Sequence, residues 1–324
     1  MRIAVVGATG RIGAKVTANL LAKGHAVKAL SRGGRALDAL VAKGAEPCLG
    51  SFDSGEGKLG EFFRDADAAF LMVKTLWAEE DLHGHYPAVA LRFFDALRDS
   101  PVKLAVSLTA MGSDVSGNTG HFQSFHVLDE ILNRLRGIRL VHLQAGWFME
   151  NLFQWADAIA KESAIGWSLD PHVKTPWVAI DDIAELASAE FDTPSSQHRS
   201  IKPLGIDHTM AEIAEIISGA VGARVDYRFV DRRNREVEAA FRERFGSLGR
   251  WVYDNDTLAA LNDGRVKFDG SRPALRTSMK QFIDDDLVPL VEKARAEGAG
   301  PITFQTWSSG RQLPGSADPR AVRP

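Results

Sequence analysis

The chain has 324 residues, of which 45% are hydrophobic and 25% charged, with a formal charge of −3. That length can bury a full core, as one large domain or a larger and a smaller one, and the mild acidity argues against nucleic-acid binding as a main function. No apolar run approaches the ~18 residues of a membrane span, no leader pattern precedes the first strand, and the single Cys48 cannot close an internal disulfide, so a cytoplasmic protein is expected.

The first element carries the motif that organises the rest. An apolar run, Ile3 to Val6, ends in Gly7-x-x-Gly10-x-x-Gly13, and a helical pattern follows from Arg11 to Lys23. Gly7 permits a sharp exit from the strand. Gly10 lets backbone approach phosphate oxygens, and Gly13 lets the helix pack closely on the strand. A strand, a tight turn and a helix N-terminus form a site for the pyrophosphate of a dinucleotide, so Gly7, Ala8, Thr9, Gly10, Arg11, Ile12 and Gly13 are candidate cofactor contacts. The spacing is one residue wider than G-x-G-x-x-G, and a βα turn that binds nothing is the alternative. Position after a strand and before a helix favours the ligand.

Short apolar runs then alternate with helical patterns up to about residue 145. Strands are predicted at Ala26–Ser31, Ala45–Leu49, Ala68–Val73, Val102–Leu108 and Ile138–Leu143. Helices are predicted at Ala36–Lys43, Lys58–Arg64, Pro87–Arg98 and Phe122–Leu135. Cys48, in a strand-like segment, reads as a small core residue rather than a nucleophile. This rhythm predicts an α/β fold, a doubly wound parallel sheet with its ligand crevice at the carboxyl ends of the strands. After Gly146 the rhythm changes: helix Met149–Ala160, an irregular Ile165–Pro176, helix Asp181–Glu190, strand Ser200–Leu204 and strand Ala223–Val230. Thr209-x-x-Glu212 reads as a capping box opening helix Ala211–Ala220, and residues 231–297 read as mainly helical. The expected division is a nucleotide-binding domain over 1–150, to which strands near 178–181 and 200–204 return, a smaller lid over 151–297, and a loosely ordered tail over 298–324.

The chain resembles the NmrA-like branch of the atypical short-chain dehydrogenases. The residues that carry the resemblance are Gly7 to Gly13, Val106-Ser-Leu-Thr-Ala-Met-Gly112, Gln144-Ala-Gly146-Trp-Phe-Met-Glu-Asn151 and Val178-Ala-Ile-Asp-Asp-Ile-Ala184. The match covers roughly residues 1–230. It implies a Rossmann domain with a small, mostly helical substrate domain closing over a nicotinamide. Family members include NAD(P)H-dependent reductases and redox sensors that bind dinucleotide without known chemistry.

The end of the second strand bears on the choice of dinucleotide. An acid about 20 residues after the glycine motif selects NAD, whereas arginine there pairs with a 2′-phosphate. Here the strand ends in Ser31-Arg32, followed by Arg35, with no carboxylate in reach, so NADP(H) is expected in preference to NAD(H). Phe52 and Asp53, where relatives place a residue against the adenine, are candidates to pack on the base and to accept from its amino group. An Asp-x-Gly turn explains the same residues structurally. Met72, Val73 and Lys74 would line the cofactor between its two bases.

Carbonyl-reducing relatives carry Tyr-x-x-x-Lys on the helix after the fifth strand. Taking Glu130 as the family's helix position, Phe122 falls at the tyrosine and His126 at the lysine, so the usual proton donor is missing. Thr109 replaces the serine that polarises a carbonyl. His126 and Thr109 are the catalytic candidates, with His126 also a ribose contact, although a histidine satisfied by its own helix is the plainer alternative. Backbone at Ala145, Gly146, Trp147 and Phe148 would bond the carboxamide, and Trp77, Tyr86, Trp147, Phe148 and Asn151 would wall an apolar substrate. Asp81, His83 and His85 are metal-ligand residue types without a second cluster, so no metal is expected.

The expected function is NADPH-dependent hydride transfer to a small apolar acceptor such as a quinone, azo compound or conjugated carbonyl. The alternative is a non-catalytic NADP(H) sensor acting on a regulatory protein partner. Neither nucleic acid nor membrane is expected as a direct partner, and homo-oligomerisation stays open.

Overall fold

The computed structural model describes residues 1–53, 59–74, 82–194, 197–231, 249–268 and 270–297. In chain order the strands are β1 Arg2–Val5, β2 Ala26–Ser31, β3 Glu46–Leu49, β4 Ala68–Met72, β5 Leu104–Ala110, β6 Arg139–Ala145, β7 Trp147–Phe148, β8 Ala164–Trp167, β9 Thr175–Val178, β10 Arg199–Leu204, β11 Ile206–His208 and β12 Asp226–Phe229. The helices that bear on the argument are α1 Arg11–Ala22, α2 Arg35–Val41, α3 Leu59–Phe63, α4 Leu82–Arg98, α5 His121–Leu132, α6 Ala156–Glu162, α7 Ile180–Asp192, α8 Met210–Val221, α9 Gly249–Asn262, α10 Met279–Phe282 and α11 Val288–Ala296.

Seven parallel strands form the main sheet in the order β10-β6-β5-β4-β1-β2-β3. Both faces of such a sheet are covered, which is why its strands read as nearly continuous apolar runs. Leu104, Val106 and Leu108 of β5 face Val16 and Leu20 of α1 and Ile183 and Ala187 of α7. Ala105, between them, faces the other layer, where Phe93 and Leu97 of α4 meet Phe125, Leu128 and Leu132 of α5. The chain runs outward one way through β1, β2 and β3 and the other way through β4, β5, β6 and β10. The order reverses between β1 and β4, and a ligand crevice is expected outside the carboxyl ends at that point.

Beyond Gly146 a third cluster gathers Leu152, Trp155, Trp177, Ile213 and Ile217 of α8, Leu258 and Leu261 of α9, and Phe282. Two small sheets lie in this part, β11-β9-β7 and β12-β8. The segment expected to be irregular therefore holds β8 and β9. Thr209 caps α8 as its sequence predicts: its hydroxyl accepts from the Glu212 N–H at 3.1 Å, and the Glu212 carboxylate accepts from the Thr209 N–H at 2.9 Å.

Two expectations are corrected here. The strand near 178–181 does not return to the main sheet. β9 pairs with β7 and β11, because the edge beside β6 is taken by β10 along its whole length, and Ile180 already opens α7. α4 begins at Leu82 rather than Pro87, so Pro87 lies inside it and forfeits an intrahelical bond; the buried face Tyr86, Val89, Ala90 and Phe93 carries the helix past that loss. Among the described residues no helix is long and apolar enough to cross a membrane.

Candidate dinucleotide and acceptor site

At the turn after β1, Gly7 adopts φ +69°, in the left-handed region that favours glycine. A Cβ on Gly13 would lie 2.7 Å from the Gly7 carbonyl carbon and nearer still to its oxygen, so helix and strand can approach this closely only with hydrogen there. The Gly10 N–H donates to the Gly7 carbonyl at 2.9 Å, and Gly10 in turn accepts from Ala14 at 2.8 Å to start α1. The first turn of α1 contains no acidic residue, so its positive end faces the crevice without a protein carboxylate of its own. Ile12 packs inward with the core, whereas Arg11 is exposed. Met72, at the end of β4, brings its sulfur to 3.1 Å from where a Gly7 Cβ would stand.

The end of β2 is tied to this turn. The Thr9 and Ser31 hydroxyls lie 3.1 Å apart, and the Gly33 N–H donates to Ser31 Oγ at 3.2 Å. Ser31 is thus buried and shared between two neighbours rather than presented as a free donor, while Arg32 is exposed. Asp53 stands opposite. Burial disfavours its charge, but the Ser51 hydroxyl, its own backbone N–H and the charges of Arg32 and His85 outweigh this and hold its carboxyl below the ordinary aspartate range. The Asp53 carbonyl accepts from Arg92 at 2.8 Å. Phe52 is buried with its ring 6.1 Å from that of Phe93, a core contact that leaves little of it for an adenine. Val73 likewise faces the core, whereas Lys74 is exposed and its carbonyl bonds to His85 Nε2 at 3.0 Å.

At the other end of the crevice, Thr109 is buried and its Oγ1 has no hydrogen-bond partner among the described residues. His126 brings Nδ1 to 2.7 Å from the Ser113 carbonyl; a carbonyl only accepts, so Nδ1 carries the proton. Phe122 is buried edge-on, 6.1 Å from Phe268, with Val266 also against this corner, so its ring is an aromatic core contact.

Ala145 and Gly146, expected to meet the carboxamide, already make backbone bonds within the fold. The Gly146 N–H donates to the Leu204 carbonyl and the Ala145 carbonyl accepts from Met111, at 2.8 and 2.9 Å. Gly146 is glycine because a Cβ would lie 2.7 Å from the Pro176 carbonyl carbon, where β9 crosses. Trp147 meets Trp167 edge-on at 4.9 Å, and Trp167 in turn neighbours Trp155 and Trp177, while Phe148 packs partly buried on the main core. Tyr86 is fully buried between α4 and α5 against His121 and Phe125, which removes it from a substrate wall. Asn151 is partly exposed, and its carbonyl accepts from Gln154 at 2.7 Å. Trp77 and Asp81, and the side chain of His83, lie outside the described residues; His85 is engaged by Lys74 as above.

Three features had no local signal in the sequence. Glu150 accepts from the Ile180 N–H at 2.9 Å, fastening the Trp147–Asn151 stretch to the start of α7, and its other oxygen is buried without a partner among the described residues. Burial raises its pKa; the Ile180 N–H and Arg11 oppose the rise and Asp181 adds to it. Asp182, also buried, accepts from the backbone N–H groups of Arg276 and Thr277. A third group, Ser113, Asp129, Gln144 and His142, forms a buried polar chain beneath the crevice.

Solved structures share this fold. The triphenylmethane reductase of Citrobacter sp., complexed with NADP(H), is 18% identical, with a TM-score of 0.71 over 91% of this chain and 100% of that one. The NADPH-dependent quinone oxidoreductase QOR2 of Escherichia coli, complexed with NADPH, is 19% identical, with a TM-score of 0.67 over 92% of this chain and 100% of that one. NmrA, a negative transcriptional regulator in complex with NAD, is 18% identical, with a TM-score of 0.68 over 92% of this chain and 98% of that one. No curated protein sequence matches the chain. The model of the NmrA-like family matches residues 1–238, most of the chain, and with the parallel sheet and its glycine turn the protein belongs to the NmrA-like family.

Proposed function

We propose that the protein is an NADPH-dependent oxidoreductase that reduces a small apolar acceptor, such as a quinone, azo compound or conjugated carbonyl. The observation that carries this reading is the turn at Gly7–Gly13, with an acid-free α1 N-terminus, beside a second strand that ends in Ser31-Arg32 without a carboxylate. Those groups suit a pyrophosphate and a 2′-phosphate. The dinucleotides bound by the reductase and the quinone oxidoreductase named above support the same choice.

When bound, a nicotinamide dinucleotide supplies the hydride. In this reading the first-turn N–H groups of α1 hold the pyrophosphate, and Arg32 takes the 2′-phosphate. His126, protonated on Nδ1, offers Nε2 as an acceptor for a ribose hydroxyl. The orphaned Thr109 hydroxyl donates to the acceptor's oxygen, and the exposed flanks of Trp147 and Phe148 exclude water from a flat acceptor. With Phe122 in the tyrosine position, the proton that completes reduction comes from water.

A second reading, a dinucleotide sensor without turnover, is favoured by that same Phe122. Calorimetric titration with NADPH and NADH, followed by NADPH oxidation across a panel of quinones, azo dyes and enones, separates the two. Turnover of one acceptor class supports the reductase, and tight NADPH binding without turnover supports the sensor. Equal or tighter binding of NADH overturns the preference for NADPH, and Arg32→Ala is expected to narrow that preference.

A further inference from the structure

The polar chain beneath the crevice has a geometry that bears on His126. Ser113 is 2% exposed and bonds in three directions. Its hydroxyl lies 2.7 Å from Asp129 Oδ2 and 2.7 Å from Gln144 Nε2, and its carbonyl lies 2.7 Å from His126 Nδ1. A hydroxyl has one proton. An ionised carboxylate only accepts and an amide nitrogen only donates, so Ser113 gives its proton to Asp129 and accepts from Gln144. That assignment orients the Gln144 amide, because the flipped amide would need a second hydroxyl proton. Gln144 comes from β6, Asp129 from α5, and Ser113 from the turn between β5 and α5, so the hydroxyl pins that turn to two elements at once.

Asp129 Oδ1, by contrast, is buried without a hydrogen-bond partner among the described residues, 3.1 Å from His142 Nδ1. An amide oxygen only accepts, so His142 donates from Nε2 to Asn133 Oδ1 at 3.1 Å, while its Nδ1 lies 2.8 Å from Ser107 Oγ. His126 and Asp129 are three residues apart on α5 and so share a face. The braced hydroxyl and the carbonyl that bonds His126 belong to the same residue, so whatever holds the one aims the other.

We propose that Ser113, held by Asp129 and Gln144, is a positioning residue that fixes His126 with its proton on Nδ1 and its Nε2 bare toward the crevice. This rests on the reading of His126 as a dinucleotide contact only for its functional consequence; the tautomer is independent of it. The same chain accounts for a glutamine at position 144, since its amide is the donor the Ser113 hydroxyl requires.

The test uses the full chain with nitrogen-15-labelled histidine rings, the His126 signal being identified by its loss in His126→Gln. The wild-type ring is expected to be protonated on Nδ1. Ser113→Ala, which leaves Asp129 and Gln144 without their shared partner, is expected to move His126 toward the Nε2-protonated form and to weaken NADPH binding about tenfold. Ser113→Thr, which keeps the hydroxyl, is expected to retain the wild-type tautomer. The double variant Ser113→Ala with His126→Gln should bind no more weakly than His126→Gln alone. A wild-type ring protonated on Nε2, or a tautomer unchanged in a folded Ser113→Ala protein, overturns the proposal. A changed tautomer with undiminished NADPH affinity in His126→Gln upholds the positioning and overturns the ribose contact instead.

Discussion

Gly13 leaves no room for a single methyl group against the Gly7 carbonyl, and the obstacle is backbone rather than a side chain that can swing away. Gly13→Ala is therefore expected to lower stability by about 1–3 kcal/mol and to weaken dinucleotide binding, measured by denaturant unfolding and titration. Unchanged affinity would separate the turn from the ligand. Glu150 makes a different kind of prediction. Burial raises its pKa above the ordinary 4.5, so the fold prefers its neutral form. Its contribution to stability is full below that ordinary value and is lost as pH rises through the raised one. Glu150→Gln keeps an acceptor for the Ile180 N–H and removes the charge, so the variant should gain on the wild type as pH climbs from acid to neutral. Parallel melting profiles of the two proteins would contradict this.

At the scale of elements, the stability of α7 and the placement of the C-terminal helices are coupled through one carboxylate. Asp182 accepts from Thr277 at 3.1 Å and from Arg276 at 3.3 Å, just before α10. Asp182→Ala is expected to cost about 1–3 kcal/mol and to raise amide hydrogen exchange selectively through residues 276–297. A uniform rise in exchange would point to global destabilisation instead. The C-terminal end of α5 shows the same economy of means. The Arg199 guanidinium, arriving on β10, donates to the carbonyls of Ile138, Asn133 and Leu135, satisfying groups that a helix end and its turn leave over. Burial, and then the like charge of Arg136, depress its pKa, so carbonyls rather than an acid hold this cation.

For the whole molecule, the proposed dinucleotide would lie across elements drawn from distant parts of the chain. α7 and β10, from beyond residue 150, complete the layers around strands from the first half, so the halves are interleaved rather than joined by one hinge. A ligand bound only by the folded form stabilises it by mass action. NADPH at a hundredfold excess over its dissociation constant is expected to add about 2.7 kcal/mol to unfolding, and NADH at the same concentration less. A melting temperature indifferent to NADPH would remove the dinucleotide from the proposed function.

Much of the fold was legible because its determinants are local. The Gly7–Gly13 turn and the Thr209–Glu212 box each lie within a few residues, and periodicity marked the sheet strands and their helices. Gly146 has a determinant that is not local: its close approach is to Pro176, which no local pattern announces, and its N–H bonds to the Leu204 carbonyl. Tyr86 and Phe52 read as ligand walls because an aromatic at a strand or helix end suits either role, and only their packing on Phe125 and Phe93 assigns them to the core. The sequence by itself determined the parallel α/β architecture and the glycine turn. Only the tertiary structure decided that Ser113 joins Asp129, Gln144 and His126, and that Glu150 meets Ile180. Strand and helix propensities act over a few neighbouring residues, whereas these polar pairings form where packing brings remote segments together and excludes water from them.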